Sequence, residues 1–156
     1  MLHVCPKGIL SETYTISAKE KGPPLTSVSS RWFREAGSFS LDNRTFDLGR
    51  EGRMGGDFFV SSGGRKLARA DKPSAWYRRF SVRVAGTKYV LQARSSFSRK
   101  FDLLQGTRRV GSIEPTSIWT RRATADLPEE LPLEVRVFLI WLVLVLWRRQ
   151  RNSSSG

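Results

Sequence analysis

Histidine and cysteine are all but missing from this chain: among 156 residues, His3 and Cys5 stand alone. A single cysteine excludes an intramolecular disulfide framework and a cysteine-rich metal centre. Two potential ligands do not close a zinc site, and a serine–histidine–acid triad would have to take its base from the chain terminus. Acidic residues are scarce too, 14 against 27 lysines and arginines. They are dispersed among the arginines, so no carboxylate pair stands out for acid–base work. The stretch Gly49–Gly56 is glycine-rich, but it lacks the Gly-Lys-Ser/Thr ending of a phosphate loop and the dinucleotide fingerprint. The expectation is a non-enzymatic protein with no metal and no cofactor. Met1-Leu2-His3-Val4-Cys5 has no glycine for myristoylation and no secretory or transit pattern, which reads as a cytoplasmic protein.

Long apolar runs are also missing, with one exception. Val137–Trp147 is uncharged and carries no polar residue, and it ends at Arg148-Arg149. A helix built from it has no water-facing side, so it is either enclosed by protein or immersed in lipid. Eleven residues span roughly 17 Å of helix, against a hydrocarbon core of ~30 Å. Extending the segment back to Pro132 brings Glu134 and Arg136 inside it. Enclosure by protein is the favoured reading. The alternative is a short tail anchor, with Arg148, Arg149 and Arg151 on the cytoplasmic side.

Ahead of that run the pattern is one of short strands and turn signals. Gly37–Leu41 and Arg44–Leu48 alternate with period two around Asp42-Asn43, which reads as a two-residue hairpin turn. Asp57–Val60 is a further strand, turned by Gly63-Gly64 into Arg65–Ala68. Phe80–Val84 turns at Ala85-Gly86 into Thr87–Leu91, which puts Phe80, Val82 and Val84 on one face with Leu91, Tyr89 and Thr87. Lys100–Leu104 turns at Gln105-Gly106 into Arg109–Ile113, where broken alternation calls for a bulge at Gly111. Asp126-Leu127-Pro128-Glu129 resembles a capping box, and Pro132 can begin a helix over about 132–149. Strands at this spacing imply a sandwich or barrel. A sheet covers only one side of an all-apolar helix, whereas a barrel covers every side. The fold expected is therefore mainly β, a closed antiparallel barrel over 9–150 enclosing the C-terminal helix. Residues 1–8 are expected to be a flexible N-terminus and 151–156 a flexible tail.

Lys88-Tyr89-Val90-Leu91, Phe101-Asp102-Leu103-Leu104-Gln105-Gly106, Val110-Gly111-Ser112-Ile113 and Asp126-Leu127-Pro128, leading into the apolar helix, carry a resemblance. Together they resemble the tubby C-terminal-like superfamily, which includes tubby proteins, phospholipid scramblases and the LURP-one-related proteins. The resemblance covers about Trp76 to Arg149. It implies twelve strands around a central helix, no enzymatic chemistry, and, as in tubby proteins, phosphoinositide headgroup binding by basic surface residues. The chain departs from the family in having no cysteine-rich tract, no proline-rich N-terminal arm and no scramblase-type calcium loop.

The formal net charge is +13, with 20 arginines against 7 lysines, a balance suited to polyanionic partners. The hairpin reading sets Arg83 opposite Lys88, an unfavourable pairing unless an anion or acid intervenes. Arg78-Arg79, Arg99-Lys100, Arg108-Arg109 and Arg121-Arg122 fall near strand ends, where rim loops would gather them, with Trp76, Tyr77 and Trp119 nearby in sequence. Arg78, Arg79, Arg83, Lys88, Arg99, Lys100, Arg108 and Arg109 are therefore the candidate anion-binding residues. The partners expected are anionic phospholipid headgroups of a membrane met peripherally, by a monomer. A nucleic acid is the alternative polyanion, and a solvated coat of charge is the reading without a partner.

Overall fold

The computed structural model describes residues 1–9, 11–52, 57–71, 78–118 and 120–154. Twelve strands follow one another: β1 (Leu2–Pro6), β2 (Thr13–Ser17), β3 (Pro24–Arg31), β4 (Ala36–Leu41), β5 (Arg44–Arg50), β6 (Phe58–Ser62), β7 (Arg65–Asp71), β8 (Arg79–Val84), β9 (Thr87–Ala93), β10 (Phe101–Gln105), β11 (Arg108–Pro115) and β12 (Ala123–Asp126). Each pairs antiparallel with its neighbours in sequence, and β1 pairs with β12 to close the barrel. Closure leaves no strand edge exposed. Among the described residues the single α-helix, α1 (Leu133–Ser154), follows β12.

The alternation written into the strands becomes an inner and an outer wall. Phe39, Phe46, Leu48, Phe58, Val60, Phe80, Val82, Leu91, Phe101 and Leu103 all point inward and are buried. Their targets are Val135 and Val137–Trp147 of α1, which are buried on every face. Eight-stranded barrels fill their bore with their own side chains, whereas a wider barrel leaves room for an occupant. Here the occupant is a helix about 10–12 Å across with its side chains. Among the described residues no helix is long and apolar enough to cross a membrane. The polar groups of the occupant are answered by the wall: Trp141 Nε1 donates to Ser30 Oγ at 2.9 Å, and Trp147 Nε1 to the Arg99 carbonyl at 3.0 Å.

Several sequence expectations need correction. Residues 1–8 are not a loose end: β1 pairs Leu2, His3 and Val4 with Ala125, Thr124 and Ala123, and Leu2 and Val4 are buried. Two inward apolar residues are too short a pattern to stand out in sequence, but β12 needs a partner for the ring to close. The helix runs on to Ser154, so Arg151–Ser154 are helical rather than a tail. Asp126 does not cap it. It lies on β12 opposite Ser112, and the helix instead starts from the Pro132 carbonyl, which accepts from Val135 and Arg136. The β10–β11 turn is Gly106-Thr107, one residue later than expected, and the bulge falls on Val110, between the Leu103–Gly111 and Leu104–Arg109 pairs. Gly111 itself is required by close packing, since a Cβ there would sit 2.6 Å from the Asp126 carbonyl oxygen. The Asp42-Asn43 turn holds, with both residues at positive φ.

Candidate functional site

Strand direction sorts the loops into two sets. The helix enters where β12 ends and leaves at the far end, among the loops joining β1–β2, β3–β4, β5–β6, β7–β8, β9–β10 and β11–β12. The two ends differ sharply in charge. Among the described residues, the exit end (loop residues 7–12, 32–35, 51–57, 72–78, 94–100 and 116–122, with helix residues 148–154) carries eleven Lys and Arg against four Asp and Glu. The entry end, with the first helical turn, carries three against five. Most of the net charge of the loops therefore lies on one end of the barrel.

Three exit-end arginines bond to backbone rather than to acids. Arg78 Nη1 donates to the carbonyls of Ser96 (3.3 Å) and Ser98 (2.6 Å). Arg99 donates to the carbonyls of Ile118 and Thr120, both at 3.1 Å, and its guanidinium lies 4.7 Å from the Trp147 ring centre. Arg121 donates to the carbonyls of Gly8, Ile9 and Ser11 and to the Tyr14 hydroxyl. A carbonyl satisfies an N–H group but cancels no charge. Burial, and then the neighbouring Arg99, push the Arg78 pKa down; burial, and then Arg151, do the same for Arg99. Arginine stays charged through the physiological range regardless. A cleft of about 560 Å³ opens between the helix end and these loops, lined by Arg99, Arg121, Arg151, Trp147 and Ile118.

One acid anchors the helix where it leaves. Glu35, at positive φ, accepts from Arg149 Nε and Nη2 at 2.7 Å each and faces Arg50 Nη1 at 3.1 Å. This fork-to-fork geometry is the strong form of the pairing. It ties the end of α1 to the β3–β4 loop and to β5.

The eight candidate residues do not form one site. Arg78, Arg79, Arg99 and Lys100 lie at the exit end, whereas Arg83, Lys88 and Arg108 flank entry-end turns. Along β8 alone, Arg79 and Arg83 are separated by ~13 Å. Lys100 lies 3.9 Å from Glu114, and Arg109 lies 3.6 Å from Asp102, a carboxylate that also accepts from Arg94. Hydrogen bonds to Asp102 and Glu114 raise the Arg94 pKa. Arg83 stands opposite Lys88 as the hairpin register requires, and Arg69 stands on the other side of Arg83, making a row of three cations. Trp76, Tyr77 and Trp119, together with residues 53–56 of the glycine-rich stretch, lie outside the described residues.

No family model, characterised protein or solved structure matches the chain.

Sequence reasoning set Arg121-Arg122 at a rim but left the pair off the candidate residues, and it nominated neither Arg149 nor Arg151 for the site, nor the exposed apolar residues Ile9, Phe33, Phe97 and Ile118 on four exit-end loops. The signal for these last was present. Ser96-Phe97-Ser98 and Thr116-Ser117-Ile118 each set a large apolar side chain inside a turn cluster, where no sheet face receives it. Among the described residues no group of three or more His, Cys, Asp or Glu side chains is placed to hold a metal ion.

Proposed function

We propose that this chain is a non-enzymatic barrel domain of the tubby-like kind that binds anionic phospholipid headgroups, phosphoinositides among them, at a cytoplasmic membrane surface. The observation that carries the reading is the charge polarity of the barrel. Its exit end presents arginines whose charge is left standing because carbonyl oxygens, not carboxylates, take their hydrogen bonds. Each cation held near an anionic leaflet contributes ~1 kcal/mol, so four to six acting together give reversible surface binding. Arg78, Arg79, Arg99 and Lys100 belong to this end; Arg83, Lys88 and Arg108 face away from it.

A nucleic acid answers the same charge, but sequence-tolerant strand binding uses aromatic rings presented between arginines on an open face. Phe39, Phe46, Phe58, Phe80 and Phe101 point into the barrel, and the exposed Phe33 and Phe97 stand on separate loops rather than together on a sheet face.

Vesicle flotation tests the reading. Binding is expected to vesicles containing phosphatidylserine or a phosphoinositide, and to be far weaker to phosphatidylcholine alone. Arg34→Gln with Arg122→Gln, both exposed exit-end cations, is expected to weaken it by about tenfold or more. Equal binding to charged and neutral vesicles would remove the headgroup reading.

A further inference from the structure

Among the described residues six large hydrophobic side chains are exposed; Met1 and Leu25 lie toward the entry end, and the other four lie at the exit end. Phe33 (95%), Phe97 (93%), Ile9 (91%) and Ile118 (74%) are the most exposed of them. Each sits on a different loop, and all four loops belong to the exit end. Isolated exposed hydrophobics need no explanation, but a set gathered on one face marks an interaction surface.

The arginine bonds give this set its form. Arg78 grips the two carbonyls that flank Phe97, those of Ser96 and Ser98. Arg99, on the loop that bears Phe97, grips the carbonyls of Ile118 and Thr120. Arg121, on the loop that bears Ile118, grips the carbonyls of Gly8, Ile9 and Ser11. Each arginine reaches one loop further round the rim, so three of the four apolar tips rest on backbone already bonded by the preceding loop. This is what entry into a membrane interface asks of a loop. Carbonyls carried away from water need internal partners, and here guanidinium groups supply them while keeping a positive charge beside each tip. The fourth tip, Phe33, borders the helix end beside Arg148 and Arg149.

We propose that Ile9, Phe33, Phe97 and Ile118 insert into the headgroup–acyl boundary of an anionic bilayer, so that the barrel stands on its exit end with the central helix near the membrane normal. This rests on the headgroup reading and adds to it an insertion depth and an orientation. Charge complementarity selects the occupant: a ring of arginines around apolar tips matches phosphate groups above acyl chains.

The test uses the full chain with a polarity-sensitive fluorophore at Phe33→Cys or Phe97→Cys, in a Cys5→Ser background, mixed with phosphatidylserine-containing vesicles. The label is expected to shift to the blue on binding, and a label at Asn43→Cys, on an entry-end turn, is expected to stay unshifted. Phe33→Ser with Phe97→Ser is expected to weaken vesicle binding by about a hundredfold at low and high salt alike. Both side chains are exposed, so thermal stability should hold. Unshifted labels at 33 and 97 on a vesicle-bound protein overturn insertion and leave headgroup binding standing. Absence of vesicle binding by the unsubstituted chain removes both. A dimer in solution that the double serine variant dissolves, with vesicle binding unchanged, assigns the tips to a second copy of this chain and likewise overturns the proposal.

Discussion

Ser30 shows how much one hydroxyl decides in an apolar bore. It is buried, and its oxygen takes the indole N–H of Trp141, a side chain with almost no solvent contact. Ser30→Ala leaves that donor without a partner and is expected to cost about 1–3 kcal/mol in denaturant unfolding. The loss should shrink in a Trp141→Phe background, where there is no donor to orphan. Ala85 sits at the opposite extreme, exposed in a turn but at φ +48°. The left-handed region disfavours a Cβ but is tolerated by asparagine. Ala85→Asn is therefore expected to stabilise the barrel by about 0.5–1 kcal/mol, measurable as a rise in Tm. The Asp42-Asn43 turn already uses this chemistry.

At the scale of the element, the helix and the hairpins were unequally legible. An uninterrupted apolar run such as Val137–Trp147 permits few environments, so its enclosure could be read from the residues alone. Ending the chain at Leu131 removes the occupant of the bore, and the remaining strands are expected to show no cooperative unfolding transition and no dispersed amide spectrum. The turn and register of the β8–β9 hairpin were legible because both strands alternate cleanly around a glycine-containing turn, although the strands run on to Arg79 and Ala93. Its Arg69–Arg83–Lys88 row offers a direct test of register and of site together. Lys88→Glu places opposite charges face to face and is expected to stabilise the fold by about 0.2–1 kcal/mol. Because Arg83 and Lys88 lie toward the entry end, vesicle binding should change little. A large loss of binding in that variant would return Arg83 and Lys88 to the site. β1 was not legible: two inward residues beside a terminus form no periodic signal, and their role exists only because β12 lies alongside.

For the whole molecule, charge separation between the two ends is the property on which the proposed function rests. Vesicle binding by the basic rim is expected to weaken as salt rises from about 0.05 to 0.5 M, because the Debye length shortens from above 10 Å to a few ångströms. Residual binding at the upper end measures what the apolar tips contribute. A salt-insensitive interaction would mean that the arginine ring has no part in it. Composition announced the excess of arginine but not its location. Eight candidate residues looked equivalent in sequence, yet the strand directions send them to different ends.

The residues by themselves determined the class of fold, through period-two strands and one greasy segment that water cannot wet. They also determined the chain's own excess of positive charge, on which the proposed anionic partner rests. Tertiary structure decided which loops share an end, because alternate hairpins point to opposite rims and sequence proximity does not report that parity. It also decided which arginines serve as staples, since a guanidinium chooses its carbonyls only after the loops that carry them are side by side.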